Sequence, residues 1–105
     1  MKSPLVTALA STLLAAPAHA FSMKGCEKFA ATAETTMWVR QDCQPIEALM
    51  APLEHHRDGL GPYYESFTKM ILEAYEEPLL EDAGDTELAV WTFRMNWHIA
   101  CLERC

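Results

Sequence analysis

Positive charge is scarce in this chain: eight Lys and Arg stand against fifteen Asp and Glu, a formal net charge of −7. Nucleic-acid binders neutralise phosphates with Lys and Arg, so this balance argues against that class. It also argues against adhesion to anionic membranes. Catalytic signatures are equally thin. Beyond residue 20 the serines are Ser22 and Ser66, and neither sits in a Gly-x-Ser-x-Gly elbow. Nor does any apolar run beyond residue 20 have the length of a membrane span, so no stable membrane anchor is expected there.

The one sustained apolar run lies at the start. Lys2 is followed by a stretch rich in Leu, Val and Ala over 5–14, and then by Ala18, His19 and Ala20, a small-x-small cleavage site. This order predicts a cleaved signal peptide over 1–20, with 21–105 left as a single small exported domain, periplasmic or secreted. No cysteine sits at the cut, so a lipid-anchored product is not expected. Losing Lys2 leaves seven basic side chains against fifteen acidic ones. Such a surface suits a basic partner, or simply keeps an exported domain soluble.

Cys26, Cys43, Cys101 and Cys105 all follow the cleavage site, and an even count behind an export signal reads as disulfides. In a domain too small for a large core, a bridge worth about 2–4 kcal/mol is a substantial part of the net stability. Oxidation also removes the thiols as nucleophiles. If 26–43 were one unbroken helix, Cys26 and Cys43 would lie roughly 25 Å apart, at about 1.5 Å per residue. A bridge needs α-carbons within about 7 Å. Two bridges from the N-terminal pair to the C-terminal pair, connectivity open, therefore require the chain to turn between Cys26 and Cys43. A Cys101 to Cys105 bond within a regular helix is disfavoured.

The periodicity predicts a mainly α fold, a small disulfide-stapled bundle of three to four helices. Cys26, Phe29, Ala30, Ala33 and Met37 recur at helical spacing over 23–38, and 42–45 breaks that helix. Ile46, Leu49, Met50 and Leu53 mark a second, with Pro52 as a kink or stop. Gly59, Leu60, Gly61 and Pro62 form a turn, after which Tyr63, Tyr64, Phe67, Met70, Ile71, Ala74 and Tyr75 give the clearest stripe, closed by Pro78. An acidic loop over 81–85 ends in Asp85 as helix cap. The last segment reads two ways. Trp91, Phe93, Met95, Trp97, Ile99 and Cys101 alternate as in a half-buried strand, while Leu88, Trp91, Met95, His98 and Leu102 share one helical face. We expect a helix; the alternative is an α+β fold with a two-stranded ribbon from 35–43 and 88–101, which in isolation is marginal.

Three groups of residues are candidates for function. Glu54, His55, His56, Arg57 and Asp58 resemble a metal-binding run, although adjacent helical histidines diverge. Met95, His98, Cys101 and Cys105 would suit Cu(I) if the thiols were reduced. Trp38, Tyr63 and Tyr64 stand near turns, where aromatics anchor partners. No cofactor is implied. The expectation is a non-catalytic exported binding or accessory protein, of inhibitor, immunity or adaptor type, recognising another exported protein. The alternatives are a periplasmic metal-handling protein using His55, His56 or His98, and an acid-responsive envelope chaperone.

Overall fold

Ser22 opens the first helix by accepting a hydrogen bond from the Gly25 amide at 3.1 Å, which satisfies one of the free donors of the first turn. A computed structural model describes residues 22–103; the expected signal peptide over 1–20 and Cys105 lie outside the described residues. Its elements are α1 (Met23–Gln41), α2 (Glu47–His55), α3 (Arg57–Leu60), α4 (Tyr63–Glu76) and α5 (Ala83–Leu102). The molecule is a disulfide-stapled helical bundle, and no strand occurs among the described residues. Both 35–41 and 88–101 are helical, so the ribbon does not form.

Side-chain contacts give the helix directions. Phe29, early in α1, packs against Tyr63 and Phe67 at the start of α4, and Arg40, near the end of α1, donates to the Glu77 carbonyl just past α4. Hence α1 and α4 run the same way. The α5 helix runs against both: Cys26 bonds Cys101, with α-carbons 5.6 Å apart, and Glu34 pairs with Arg94 at 2.8 Å. The central helix is α1, whose stripe of Cys26, Phe29, Ala33 and Met37 meets Met70 and Ala74 of α4 and Val90, Phe93 and Cys101 of α5. Small residues at Ala30 and Ala33, both fully buried, let neighbouring helices approach closely. The buried Thr36 hydroxyl donates to the Thr32 carbonyl, so it brings no unpaired polar group into the core.

Parallel α1 and α4 need a return path, which α2 and α3 supply along the flank of α4. Pro52 does not stop α2; the helix continues through it to His55. The last turn of α1 also holds the linker to α5. Gln41 donates to the Pro78 carbonyl at 2.8 Å and accepts from the Leu80 amide at 2.9 Å. That pinning fixes where α5 can begin. Its cap is Asp82, which accepts from the Asp85 amide at 3.0 Å, rather than Asp85 itself, and 83–85 belong to the helix instead of an acidic loop.

Helix α1 is unbroken from Met23 to Gln41, so the turn demanded by two bridges comes only at its very end. Cys26 and Cys43 stand at opposite ends of the bundle. Cys26 and Cys101 are buried and bonded, while Cys43 is exposed with a free thiol. Cys43 also has φ of 63°, the left-handed position beyond a helix end that glycine ordinarily fills.

Candidate interaction face on the last helix

The decisive feature is that α5 is apolar on two opposite sides. At about 100° per residue, Val90, Phe93, Trp97 and Cys101 line one side and face α1. Leu88, Trp91, Met95, Ile99 and Leu102 fall within roughly 80° of arc on the other. All five face solvent, with Leu88 64 %, Trp91 57 % and Ile99 49 % exposed. Scattered exposed leucines are ordinary, but five large apolar side chains along one helix edge are not.

The neighbouring helix widens this face. Trp38 of α1 is 42 % exposed and shares an open groove with Leu88 and Trp91, rimmed by Glu34 and Glu87. Arg94 sits at the same edge, its guanidinium 5.8 Å from the centre of the Trp91 ring and paired with Glu34. The result is an apolar strip with a charged border on one side, which is the layout of a protein-binding surface.

The aromatic candidates thus separate. Trp38 joins the exposed strip. Tyr63 turns inward, stacking on Phe67 at 5.8 Å and packing near Phe29 at 6.4 Å. Tyr64 ties α4 to α2: its hydroxyl donates to the Glu54 carboxylate and Arg57 lies 4.6 Å over its ring. The hydrogen bond to Glu54, aided by desolvation, holds the Tyr64 phenol above its ordinary pKa. Both contacts are explained as joints of the fold.

The metal candidates do not converge. His55 and His56 are exposed and meet edge to face, 4.9 Å between ring centres. Among the described residues no group of three or more His, Cys, Asp and Glu could hold a metal ion. The soft-metal series fails for a separate reason: Cys101 is bonded to Cys26 and buried, whereas Met95 points to the opposite side of α5. A second concavity lies between α4 and α5, floored by Phe29, Trp97 and Cys101 and edged by Ser66, Lys69, Glu73 and Asn96. No histidine lines it, so Ser66 has no imidazole base there. Among the described residues, no helix is long and apolar enough to cross a membrane.

The sequence places Leu88, Trp91, Met95, His98 and Leu102 together on one face, but as evidence for a helix over a strand. The signal that marks them as external was also present. Apolar residues at every second position of a helix split into two stripes, each spaced by four, on opposite sides. Comparison with known proteins adds no further constraint, since the chain matches no family model, no curated protein and no solved structure.

Proposed function

We propose that this is a non-catalytic exported binding or accessory protein whose working surface is the outer face of α5 with Trp38. The observation that supports this reading is the row of Leu88, Trp91, Met95, Ile99 and Leu102, which the bundle supports on a rigid helix and leaves uncovered. Its spacing of three and four residues matches the way one helix reads another or an apolar groove. Trp38 and Trp91 are the anchor residues, because large aromatic side chains in a cluster carry most of the energy of such contacts. The disulfide and the inner stripe of α5 act as scaffold for this face.

The test compares immobilised wild type with the double variant L88E/I99E in capture of polypeptides, the chain itself included, from the exported fraction. A stoichiometric polypeptide held by wild type and lost by the variant is expected. Equal capture by both, or none by wild type, overturns the reading.

A further inference from the structure

Resting on the reading that this face binds a polypeptide, we propose that the polypeptide is an amphipathic helix of another protein, its apolar stripe flanked on both sides by Lys or Arg, seated along the outer face of α5.

The shape of the face selects a helix. From Leu88 to Leu102 the apolar row runs about 21 Å at the helical rise, which a helix of about four turns covers. No strand occurs among the described residues, so an extended segment would find no edge to pair with its backbone amides and carbonyls. A helix satisfies its own backbone and needs only an apolar seat. Leu88 supplies the ridge of that seat. It is 64 % exposed and stands between two open grooves, one shared with Trp38 and Trp91 and the other lined by Met37, Ala89 and Phe93. Side chains of an incoming helix enter such grooves on either side of a ridge.

The charge of the rim selects the partner. At about 100° per residue, Glu87 falls roughly 80° to one side of Met95, and Asp85 and Glu103 roughly 80° to the other. All three are exposed. The grooves repeat the pattern: Glu34 and Glu87 border the first, Glu77 and Asp85 the second, and among the described residues no Lys, Arg or His lines either. Arg94, the one Lys or Arg of α5, is already paired with Glu34 at 2.8 Å. Among the described residues Glu77, Asp85 and Glu87 enter no salt bridge. Lys24 and Lys28 belong to the disulfide end of α1, roughly 15–21 Å from Trp38 at the helical rise.

This border separates the possible occupants. A second copy brings the same carboxylates: turned antiparallel about Met95, it sets Glu103 of one chain beside Asp85 and Glu87 of the other, and turned parallel it sets each acid against its like. Such juxtaposition opposes binding. Lys or Arg on both flanks of a partner helix meets these carboxylates instead, while the aliphatic stems extend the apolar contact over the edges of the row.

The experiment titrates two synthetic peptides of about 18 residues into the oxidised protein by calorimetry, both helical by circular dichroism. One carries a Leu stripe flanked by Lys; its twin has Glu for every Lys. Wild type is expected to bind the Lys peptide one to one and at least ten-fold more tightly than the Glu peptide, with the preference shrinking as salt rises from about 50 to 500 mM. D85N/E87Q/E103Q is expected to reduce that preference to under three-fold. L88E/I99E, with its helix content and Cys26 to Cys101 bond intact, is expected to bind the Lys peptide at least ten-fold more weakly although it gains two negative charges, and the milder L88A/I99A to lose less. Equal or better binding of the Glu peptide overturns the proposal, as does L88E/I99E that holds the Lys peptide as tightly as wild type, since charge alone then accounts for it. Wild type that ignores both peptides yet self-associates in sedimentation, or captures through Leu88 and Ile99 a polypeptide without a basic helix, overturns the basic helix while the docking face stands.

Discussion

The two faces of α5 are both apolar and have different fates. On one side Val90, Phe93, Trp97 and Cys101 meet α1, with Trp97 edge-on to Phe29 at 5.6 Å; on the other Leu88, Trp91, Met95, Ile99 and Leu102 keep between 38 % and 64 % of their surface exposed. Burial of the first set supplies folding energy at about 25 cal/mol per Å² of apolar surface. The second set supplies less, since a third to two thirds of its surface stays wet in the isolated chain. The contrast shows that hydrophobicity alone does not assign a residue to stability. What assigns it is whether α1 lies beneath, and that separates a scaffold face from a binding face on the same helix.

Breaking the scaffold face has the largest effects. Cys26 and Cys101 are separated by 75 positions in sequence, and closing a loop of that order restricts the unfolded chain by about 4 kcal/mol. The paired replacement of Cys26 and Cys101 by Ala should lower the urea-unfolding free energy by that order, more than any other change considered. Next comes Phe93→Ala, which removes a buried ring beside Trp97 and should cost about 3–4 kcal/mol in the same measurement. A loss below about 1 kcal/mol for Phe93 would erase the difference between the two faces.

The inner half of this comparison was legible from residues alone. The α1 stripe of Cys26, Phe29, Ala30, Ala33 and Met37 is the observed core face, and the α4 stripe of Met70, Ile71 and Ala74 is buried as its spacing implies. In both helices the main apolar stripe is the buried one, with Trp38 and Leu72 standing exposed outside it, so periodicity and burial agree for the stripe. In α5 the alternation from Trp91 to Cys101 carries two helical stripes at once, and a local pattern does not say which of them another helix will cover. That depends on tertiary packing. The expectation of two bridges is met at Cys26 and Cys101 among the described residues, where Cys43 is free and exposed: α1 runs to Gln41 and carries Cys43 away from Cys101.

Two smaller perturbations sharpen the boundary between the faces. Arg94 links them, reaching from the edge of Trp91 to Glu34 of α1. The pair is partly exposed, so Arg94→Met should cost under about 1 kcal/mol by chemical denaturation, and a double-mutant cycle with Glu34→Gln should isolate the coupling. Tyr75, at the α1 end remote from the disulfide, donates to the Gln44 carbonyl at 2.8 Å, and burial raises its pKa above the ordinary 10.0. Below about pH 10 the phenol is protonated in folded and unfolded chains alike, and its contribution is complete. As pH rises toward the folded value the unfolded chain loses its proton first, so stability falls. Tyr75→Phe should flatten that alkaline decline; Tyr64, raised in the same direction, accounts for part of what remains.

The smallest expected change in fold stability belongs to the outer face, and it is the most discriminating. Leu88 and Ile99 lie on a helix, and Glu is a strong helix former, so L88E/I99E removes little that the isolated bundle uses. In dilute solution its unfolding free energy should lie within about 0.5 kcal/mol of wild type, as for most surface substitutions. A ligand then separates the two proteins. A face that binds only in the folded state adds stability by mass action, so the melting temperature of wild type should climb with the concentration of the Lys-flanked peptide while that of the variant stays level. If the variant instead loses several kcal/mol without any peptide, the outer stripe is part of the core after all. If both melt alike at every peptide concentration, the outer stripe does not seat a basic helix, and any function it has must lie with a different partner.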